Sequence, residues 1–295
     1  MVPNLHSVAL IGFGEAGRTF ASAKGWTGRT RAYDRLTDAE GDRDAKMAEY
    51  DAAAVEGCDA LAEALTGAGI VLSLVTADQA FAAAGAAAGS IGPGVLYLDL
   101  NSVAPETKRA AARAVEAAGA HYVDVAVMSP VQPAALSAPL LVSGPQADRA
   151  AQALSDLGFT KVRVVGDQVG RASSIKMIRS VMIKGIEALS AECVLAASEA
   201  GVLDEVVASL DASWPDADWA GRADYNLDRM MVHGLRRSAE MEEVVRTLDD
   251  LGVGSDMSRG TVVRQAAVGS LALKTPPEGL TAKISALLER KVAAA

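Results

Sequence analysis

The sequence predicts a doubly wound α/β domain with a mostly parallel sheet, followed by an all-α domain. Three observations carry that expectation. Short apolar runs alternate with helical periods through the first half of the 295 residues. Several of those runs, "IVLSLVT" (70–76) and "GVLYLDL" (94–100), are continuous rather than alternating, as in strands covered on both faces. Beyond Gly170 helical periods dominate and no convincing strand follows. The expected division is 1–166 for the α/β domain and 167–295 for the helical one, which opens on a long interdomain helix.

The elements follow in order. "HSVALIGF" (6–13) reads as a buried strand, and "EAGRTFASAKG" (15–25) as a helix that stops at a glycine. "TRAYD" (30–34) is a second strand and "AAVEGC" (53–58) a third, with the short helix "DALAEALTGA" (59–68) after it. The strands at 70–76 and 94–100 come next, with only an alanine-rich bias noted at 80–90 between them. "PETKRAAARAVEAAG" (105–119) is a helix with proline near its start and glycine at its end. "HYVDVAV" (121–127), "PLLVSG" (139–144) and "KVRVVG" (161–166) complete the sheet, and "QADRAAQALSDLG" (146–158) is helical. Helices are expected at about 172–200, 202–211, 222–251, 257–273 and 281–293, with loops at 211–219 and 273–279.

Composition excludes several classes. The net charge of −9 argues against nucleic acid and against anionic membrane surfaces, which want basic patches. No apolar run is long enough to span a bilayer, and "MVPNLHSVALIGFGEAG" lacks the basic start of a signal peptide. Cys58 and Cys193 are far apart and lack metal spacing, as for small hydrophobes in a reducing cytoplasm. No His/Asp/Glu/Cys cluster has metal-ligand spacing, and no nucleophile motif of the G-x-S-x-G kind is present.

Gly12, Gly14 and Gly17 form G-x-G-x-x-G directly after a strand and at the opening of a helix. The first glycine allows the tight turn, the second lets backbone approach a pyrophosphate, and the third permits close helix–strand packing. Phe13, Glu15 and Ala16 complete the turn. Asp34 ends the second strand about 20 residues on, where a carboxylate accepts from the adenosine ribose hydroxyls. A carboxylate there repels a 2′-phosphate, so NAD is the expected cofactor, with NADP as the alternative through the adjacent Arg35. Thr76 and the pair Asn101 and Ser102 stand at the C-terminal ends of later strands, where such sheets bind ligands. They are candidates for the ribose and nicotinamide sides of the cofactor. The rival reading is that these residues cap the helices that follow, above all Asn101 and Ser102.

"GRASSIKMIRSVMIKGIEAL" (170–189) sets Lys176 inside an apolar helix, with Ser173, Ser180 and Lys184 at helical spacing around it. A buried ammonium is costly unless paired or neutralised. Arg179 and Lys184, close by on the same helix, are expected to supply cationic neighbours. The bland reading is a lysine that snorkels at a domain seam.

Four motifs in order, "GFGEAG" (12–17), "DLNSVAPET" (99–107), "DVAVMSPV" (124–131) and "GRASSIKMIRS" (170–180), resemble the β-hydroxyacid dehydrogenase family, the relatives of 3-hydroxyisobutyrate and 6-phosphogluconate dehydrogenases. "HGLRRSAEMEEV" (233–244) is similar to the helical domain of a branch whose C-terminal domain has no known function. The resemblance implies a Rossmann domain that binds NAD(P) and a helical domain that closes on the substrate. It implies a homodimer or higher homo-oligomer, and Lys176 as general acid/base. Alcohol oxidation removes a hydride from carbon and a proton from oxygen, and a lysine of lowered pKa takes that proton near neutral pH.

The departures from the family pattern bear on the substrate. Ser180 stands where many relatives carry asparagine. In the loop that commonly reads D-x-P-V-S-G-G, Met128 replaces serine, while Ser129 and Pro130 replace glycines whose N–H groups cradle a carboxylate. Pro130 has no N–H and Met128 adds apolar bulk, which predicts a substrate bulkier or more apolar than 3-hydroxyisobutyrate. Ser129 and Ser180 are expected to orient it. The stretch 224–244 reads as an amphipathic helix with Met230, Leu235, Met241 and Val245 inward. It offers Arg236 or Arg237, with His233 in reserve, as anion-binding groups. The expected activity is that of an NAD(P)-dependent dehydrogenase acting on CH–OH in a small-molecule substrate. The alternatives are an imine reductase, whose relatives often lack the lysine, and a non-catalytic dinucleotide-binding protein.

Overall fold

The computed structural model describes residues 7–273 and 275–290. His6 of the first expected strand, Lys274 of the expected turn and residues 291–293 of the last expected helix lie outside them. The chain divides into two compact units, Met1–Lys176 and Met177–Ala295.

The first unit is built on β1 (Ser7–Ile11), β2 (Arg29–Tyr33), β3 (Glu56–Gly57), β4 (Ile70–Ser73), β5 (Leu96–Asp99), β6 (His121–Val127), β7 (Leu140–Ser143) and β8 (Val162–Gly166). They form one sheet in the order β3-β2-β1-β4-β5-β6-β7-β8. Neighbours are parallel except β6 and β7, which are antiparallel. The chain winds outward from β1 to β3 and then returns to β4 on the other side of β1, so the topological switch point lies between β1 and β4. Ligands of such sheets bind beyond the strand C-termini at that point.

Both faces are covered, which is why the strand sequences are apolar runs. Val8, Leu10, Leu72, Leu98, Val123 and Val142 face one side, under Phe20 of α1 (Glu15–Ala21) and Leu154 of α6 (Ala147–Asp156). Ala9, Ile11, Val71 and Tyr97 face the other. There they meet Leu65 of α3 (Leu61–Leu65), Ala84 of α4 (Ala80–Ala88) and Val115 of α5 (Pro105–Ala117). This agrees with the predicted fold class.

Two local expectations are corrected. The third strand is only Glu56–Gly57 rather than 53–58, because Ala53 and Ala54 close the helix before it, Ala54 at φ 53°. That helix, α2 (Arg43–Ala52), escaped the sequence analysis because half of it is charged and it buries little beyond Lys46 and Tyr50. The alanine-rich stretch at 80–90 is likewise a helix, α4.

The helix α7 (Arg171–Glu199) begins in the first unit, and its residues from Met177 on belong to the second. The second unit adds α8 (Leu203–Ser213), α9 (Trp219–Leu251), α10 (Asp256–Gly269) and α11 (Leu280–Glu289). Its core gathers Ala191, Val194, Leu227, Met230, Met231, Val268, Ile284 and Leu287. α9 and α10 pack tightly at Gly234, where a Cβ would stand 2.5 Å from the Gln265 carbonyl oxygen, so only glycine permits the approach. The inward stripe of α9 runs Met230, Gly234, Arg237, Met241, Val244 and Val245. Leu235, expected inward, sits about 140° of helical rotation from Met230 and is 58% exposed.

Candidate active site

Three strand ends meet at the switch point. After β1, Gly12 turns the chain at φ 88°, and a Cβ on it would fall 2.6 Å from the Leu74 carbonyl oxygen. A Cβ on Gly17 would meet the Gly12 carbonyl oxygen at 2.9 Å, so the start of α1 lies directly on the turn. Gly14, which precedes α1, would meet nothing within 4 Å. The motif therefore combines two crowded glycines that shape the loop with one whose outer side is open. An open backbone face beside a helix start fits the pyrophosphate of a dinucleotide.

The side chains around the turn divide into supports and contacts. Phe13 is fully buried, with its ring 4.9 Å from that of Tyr50. Its N–H donates to Asp34 Oδ2 at 2.7 Å, and its carbonyl accepts from Lys46 Nζ at 3.1 Å. Asp34 Oδ1 accepts from the Leu36 N–H at 3.0 Å. Asp34 thus pins the glycine turn to the end of β2, and each oxygen keeps a second lone pair that fits a ribose hydroxyl. Glu15 lies in the first turn of α1, Ala16 packs on the core, and Arg35 is exposed. Buried Tyr50 is pushed up to about 12, chiefly by desolvation.

After β4, Thr76 is exposed, and its hydroxyl and the Gln79 amide hold the Asp78 carboxyl below its usual value. After β5, Asn101 is consumed by the scaffold. Its Oδ1 accepts from the Val75 N–H at 2.7 Å and its Nδ2 donates to Ser73 Oγ at 2.9 Å, which ties the ends of β4 and β5 together. Ser102 Oγ lies 2.5 Å from Lys176 Nζ. Neither residue caps α5: the helix begins at Pro105, with Ala104 before it and no side-chain cap. The capping alternative raised from sequence is thereby corrected, since Val103 and Ala104 intervene before the helix starts and both side chains are committed elsewhere.

A buried polar cluster underlies this edge, and sequence analysis did not assign it. Lys108 Nζ, fully buried, lies 2.9 Å from Asp99 Oδ1 and 3.5 Å from Asp124 Oδ1, and it donates to the Asp99 carbonyl at 2.6 Å. Tyr122 donates to Asp99 Oδ2 at 2.6 Å and stays protonated, because burial and then the Asp99 charge raise it well above its ordinary value. The signal was present in the sequence: "IVLS", "LYLD" and "LLVS" each end an apolar run on a polar residue, and Asp124 interrupts the run "HYVDVAV". Ser73, Asp99, Asp124 and Ser143 are in register across four strands.

In the loop after β6, the Met128 N–H donates to the Pro139 carbonyl at 2.9 Å, and the Met128 side chain packs against the cluster of Ala126, Leu141 and Ala172. Ser129 Oγ donates to the Pro130 carbonyl at 3.1 Å.

The remaining candidates belong to the second unit. Ser180 is buried. Lys184 Nζ lies 2.6 Å from Glu240 Oε2, so the expected cationic neighbour of Lys176 is already paired; burial lowers its pKa, and Glu240 opposes that shift. Arg237 is bound in a buried pair with Glu187, through Nε to Oε2 at 3.0 Å and through a second, shorter contact. Arg236 is half-exposed, 3.9 Å from Glu240. With His233, Leu235, Gly269 and Leu273 it lines a cavity of about 360 Å³. Among the described residues no group of three or more His, Cys, Asp or Glu side chains could hold a metal ion, and no helix is long and apolar enough to cross a membrane.

Comparison with known proteins adds to this geometry. Residues 7–166 match the family model described as the NAD binding domain of 6-phosphogluconate dehydrogenase, and residues 197–268 match a domain of unknown function, DUF1932. A solved structure of a conserved hypothetical protein from Sinorhizobium meliloti 1021 is 36% identical over 98% of both chains, with a TM-score of 0.77. The 3-hydroxyisobutyrate dehydrogenase of Mycobacterium tuberculosis, solved with L-serine, shares the fold at 14% identity and a TM-score of 0.72, over 95% of this chain and 98% of that one. An uncharacterized 28.5 kDa protein of Methanothermus fervidus is 28% identical over 116 residues, which is 39% of this chain; the match spans 43% of that relative's length.

Proposed function

Because the chain belongs to the nicotinamide-dependent oxidoreductase family built on the NAD-binding domain of 6-phosphogluconate dehydrogenase, with NAD(P) as cofactor, we propose that it is a dehydrogenase acting on CH–OH with Lys176 as general acid/base. The observation that carries the reading is the Lys176 amine 2.5 Å from Ser102 Oγ, just past the C-terminal end of β5. Strand C-termini are where a doubly wound sheet takes its ligands.

In this reading the turn from Gly12 to Gly17 holds the pyrophosphate through backbone N–H groups. Asp34 receives the adenosine ribose, which favours NAD over NADP by charge, and exposed Arg35 is the group an NADP preference would need. Thr76 lines the ribose side. Asn101 acts through the loop it braces, and Ser102 stands at the nicotinamide side. Bound there, the nicotinamide ring supplies the hydride acceptor. Lys176, as the neutral amine, takes the hydroxyl proton while the C–H bond gives up its hydride; in reverse the ammonium returns that proton to the carbonyl oxygen. Ser102 orients the amine, and Ser129 and Ser180 orient the substrate. Residues 1–166 form the cofactor domain, and 167–295 the substrate and homo-oligomer domain.

The substrate is bulkier or more apolar than 3-hydroxyisobutyrate. The Met128 N–H is already spent on Pro139 and Pro130 has none, so the loop after β6 has lost donors for a carboxylate, while the Met128 side chain adds an apolar wall. With Arg237 held by Glu187, Arg236 and His233 are the better anion-binding candidates. Ile178, Met182 and Leu189, on one exposed stripe of α7, offer apolar area to a second copy of the chain. Two free cysteines suit a reducing cytoplasm, and burial pushes the Cys58 thiol up to about 11.

The test is NADH formation from NAD over an alcohol panel that runs from 3-hydroxyisobutyrate to longer and aromatic hydroxy compounds. Wild type is expected to turn over the bulkier members. Lys176→Ala is expected to lose about 10²–10⁴-fold in rate with NADH affinity retained. Binding of NAD without turnover across the panel, or full activity in Lys176→Ala, would overturn the reading.

A further inference from the structure

We propose that Asp124 is the positioning residue for the Lys176 amine: it clamps the first turn of α7 to the sheet and, through Ser173, sets where that amine stands against Ser102. The proposal deepens the reading of Lys176 as the proton-transfer group and rests on it for its catalytic meaning.

Asp124 is fully buried in the middle of β6, where an unpartnered carboxylate is costly. Its oxygens are instead surrounded by donors. Oδ2 accepts from the Ser173 N–H at 3.0 Å, the Gly170 N–H at 3.1 Å and Ser143 Oγ at 3.2 Å. Oδ1 accepts from Ser173 Oγ at 2.6 Å and lies 3.5 Å from Lys108 Nζ. Ser143, the antiparallel register partner of Asp124, accepts from the Ala172 N–H at 3.0 Å. Three backbone N–H groups at the start of α7, which a helix cannot satisfy internally, are therefore taken up by two neighbouring side chains of the sheet. The charge also lies at the positive end of a 29-residue helix.

A carboxylate in that position could serve only to hold a helix end. What ties it to Lys176 is a closed circuit of contacts. Ser173 and Lys176 are three residues apart on one face of α7, so fixing the serine fixes the rotation that aims the lysine. Lys176 reaches Ser102. The neighbouring Asn101 N–H donates to Asp99 Oδ1 at 2.9 Å, Asp99 pairs with Lys108, and Lys108 returns to Asp124. Both ends of the Lys176–Ser102 contact are thus anchored in the same buried cluster, whose charged members Asp99, Lys108 and Asp124 are at most 1% exposed. A displacement of about 1 Å at a proton-transfer group is enough to cost roughly 10²-fold in rate, so this anchoring is a positioning device of catalytic consequence.

The deciding experiment needs no substrate. The full-length protein is labelled with trace acetic anhydride between pH 6 and 11, and Lys176 acetylation is read by peptide mass spectrometry against exposed Lys24 and Lys161. Ser102→Ala sets the scale: loss of this contact is expected to change the Lys176 labelling rate about tenfold at a given pH. Asp124→Asn and Ser173→Ala are each expected to reproduce roughly a threefold or larger part of that change, and Ser173→Thr to restore the wild-type profile. NADH affinity is expected to stay within about twofold throughout. A folded Asp124→Asn or Ser173→Ala protein whose Lys176 profile matches wild type overturns the proposal, as does failure of Ser173→Thr to restore it. If Asp124→Asn does not fold, the two Ser173 variants decide alone. Should Lys176→Ala prove fully active on the alcohol panel, the dehydrogenase mechanism falls while the labelling result still stands or falls by itself.

Discussion

Each unit buries a charged cluster, and the two are built differently. In the first unit Asp99 and Asp124 share one lysine, Lys108, so the cluster carries an excess negative charge that backbone N–H groups and hydroxyls of Tyr122, Ser143 and Ser173 must balance. In the second unit Glu187 and Arg237 neutralise each other, and Gln265 adds one bond at 2.8 Å from Nε2 to Glu187 Oε2. The first arrangement depends on many partners from different elements and passes through strand ends and a helix start. The second is a self-contained link between α7, α9 and α10. A charge-matched pair can be exchanged for packed hydrophobes; an unmatched cluster stabilised by backbone donors cannot, because removing one member leaves charge with no remedy.

The largest effect that would break this contrast comes from Lys108→Met. Two buried carboxylates lose their cation, so urea denaturation is expected to show a loss of about 3–5 kcal/mol, or no folded protein at all. A loss under about 1 kcal/mol would mean that the cluster is not held by its charge. Next is the pair in the second unit. Glu187→Gln alone strands Arg237 and is expected to cost roughly 3 kcal/mol, whereas Glu187→Leu combined with Arg237→Met is expected to return to within about 1.5 kcal/mol of wild type. Equal losses in the single and double variants would place this pair in the same class as the first cluster.

A smaller effect separates both clusters from the cofactor edge. Gly14→Ala adds a methyl where nothing lies within 4 Å, so its thermal midpoint should barely move while NADH affinity, read by fluorescence, falls about tenfold. An unchanged affinity would show that this backbone face does not meet the pyrophosphate. The smallest effect concerns Lys184. Its folded pKa is depressed by burial, so between that lowered value and 10.5 the unfolded chain binds more protons, and stability from this group rises with pH. Comparing thermal midpoints at pH 8 and 10.5 should show that increment in wild type and its absence in Lys184→Met; identical pH slopes would refute the depressed value.

The elements differ in how readily they are read from sequence. Strands such as 121–127, and the turn Gly12–Gly17, follow from local chemistry: apolar runs covered on two faces, and glycines that alone tolerate the crowding. The helix α2 and the two-residue β3 were obscured because they bury few side chains, and Leu235 was misplaced because Gly234 and Arg237, not leucine, continue the inward stripe of α9. The polar residues that interrupt or end four apolar strands were visible as letters, but nothing local says that they line up.

By itself the sequence determined that this is a glycine-turn α/β domain followed by helices, with an acidic residue after the second strand and a lysine in an apolar helix. Those features depend on period, spacing and residue type, which act over a few neighbours. Only the tertiary structure decided that Lys176 meets Ser102, that Asn101 braces β4 to β5 instead of capping α5, and that Arg237 is spent on Glu187. Each of these is a choice of partner between residues 26 to 74 positions apart, and partner choice is set by strand register and helix rotation across the whole fold.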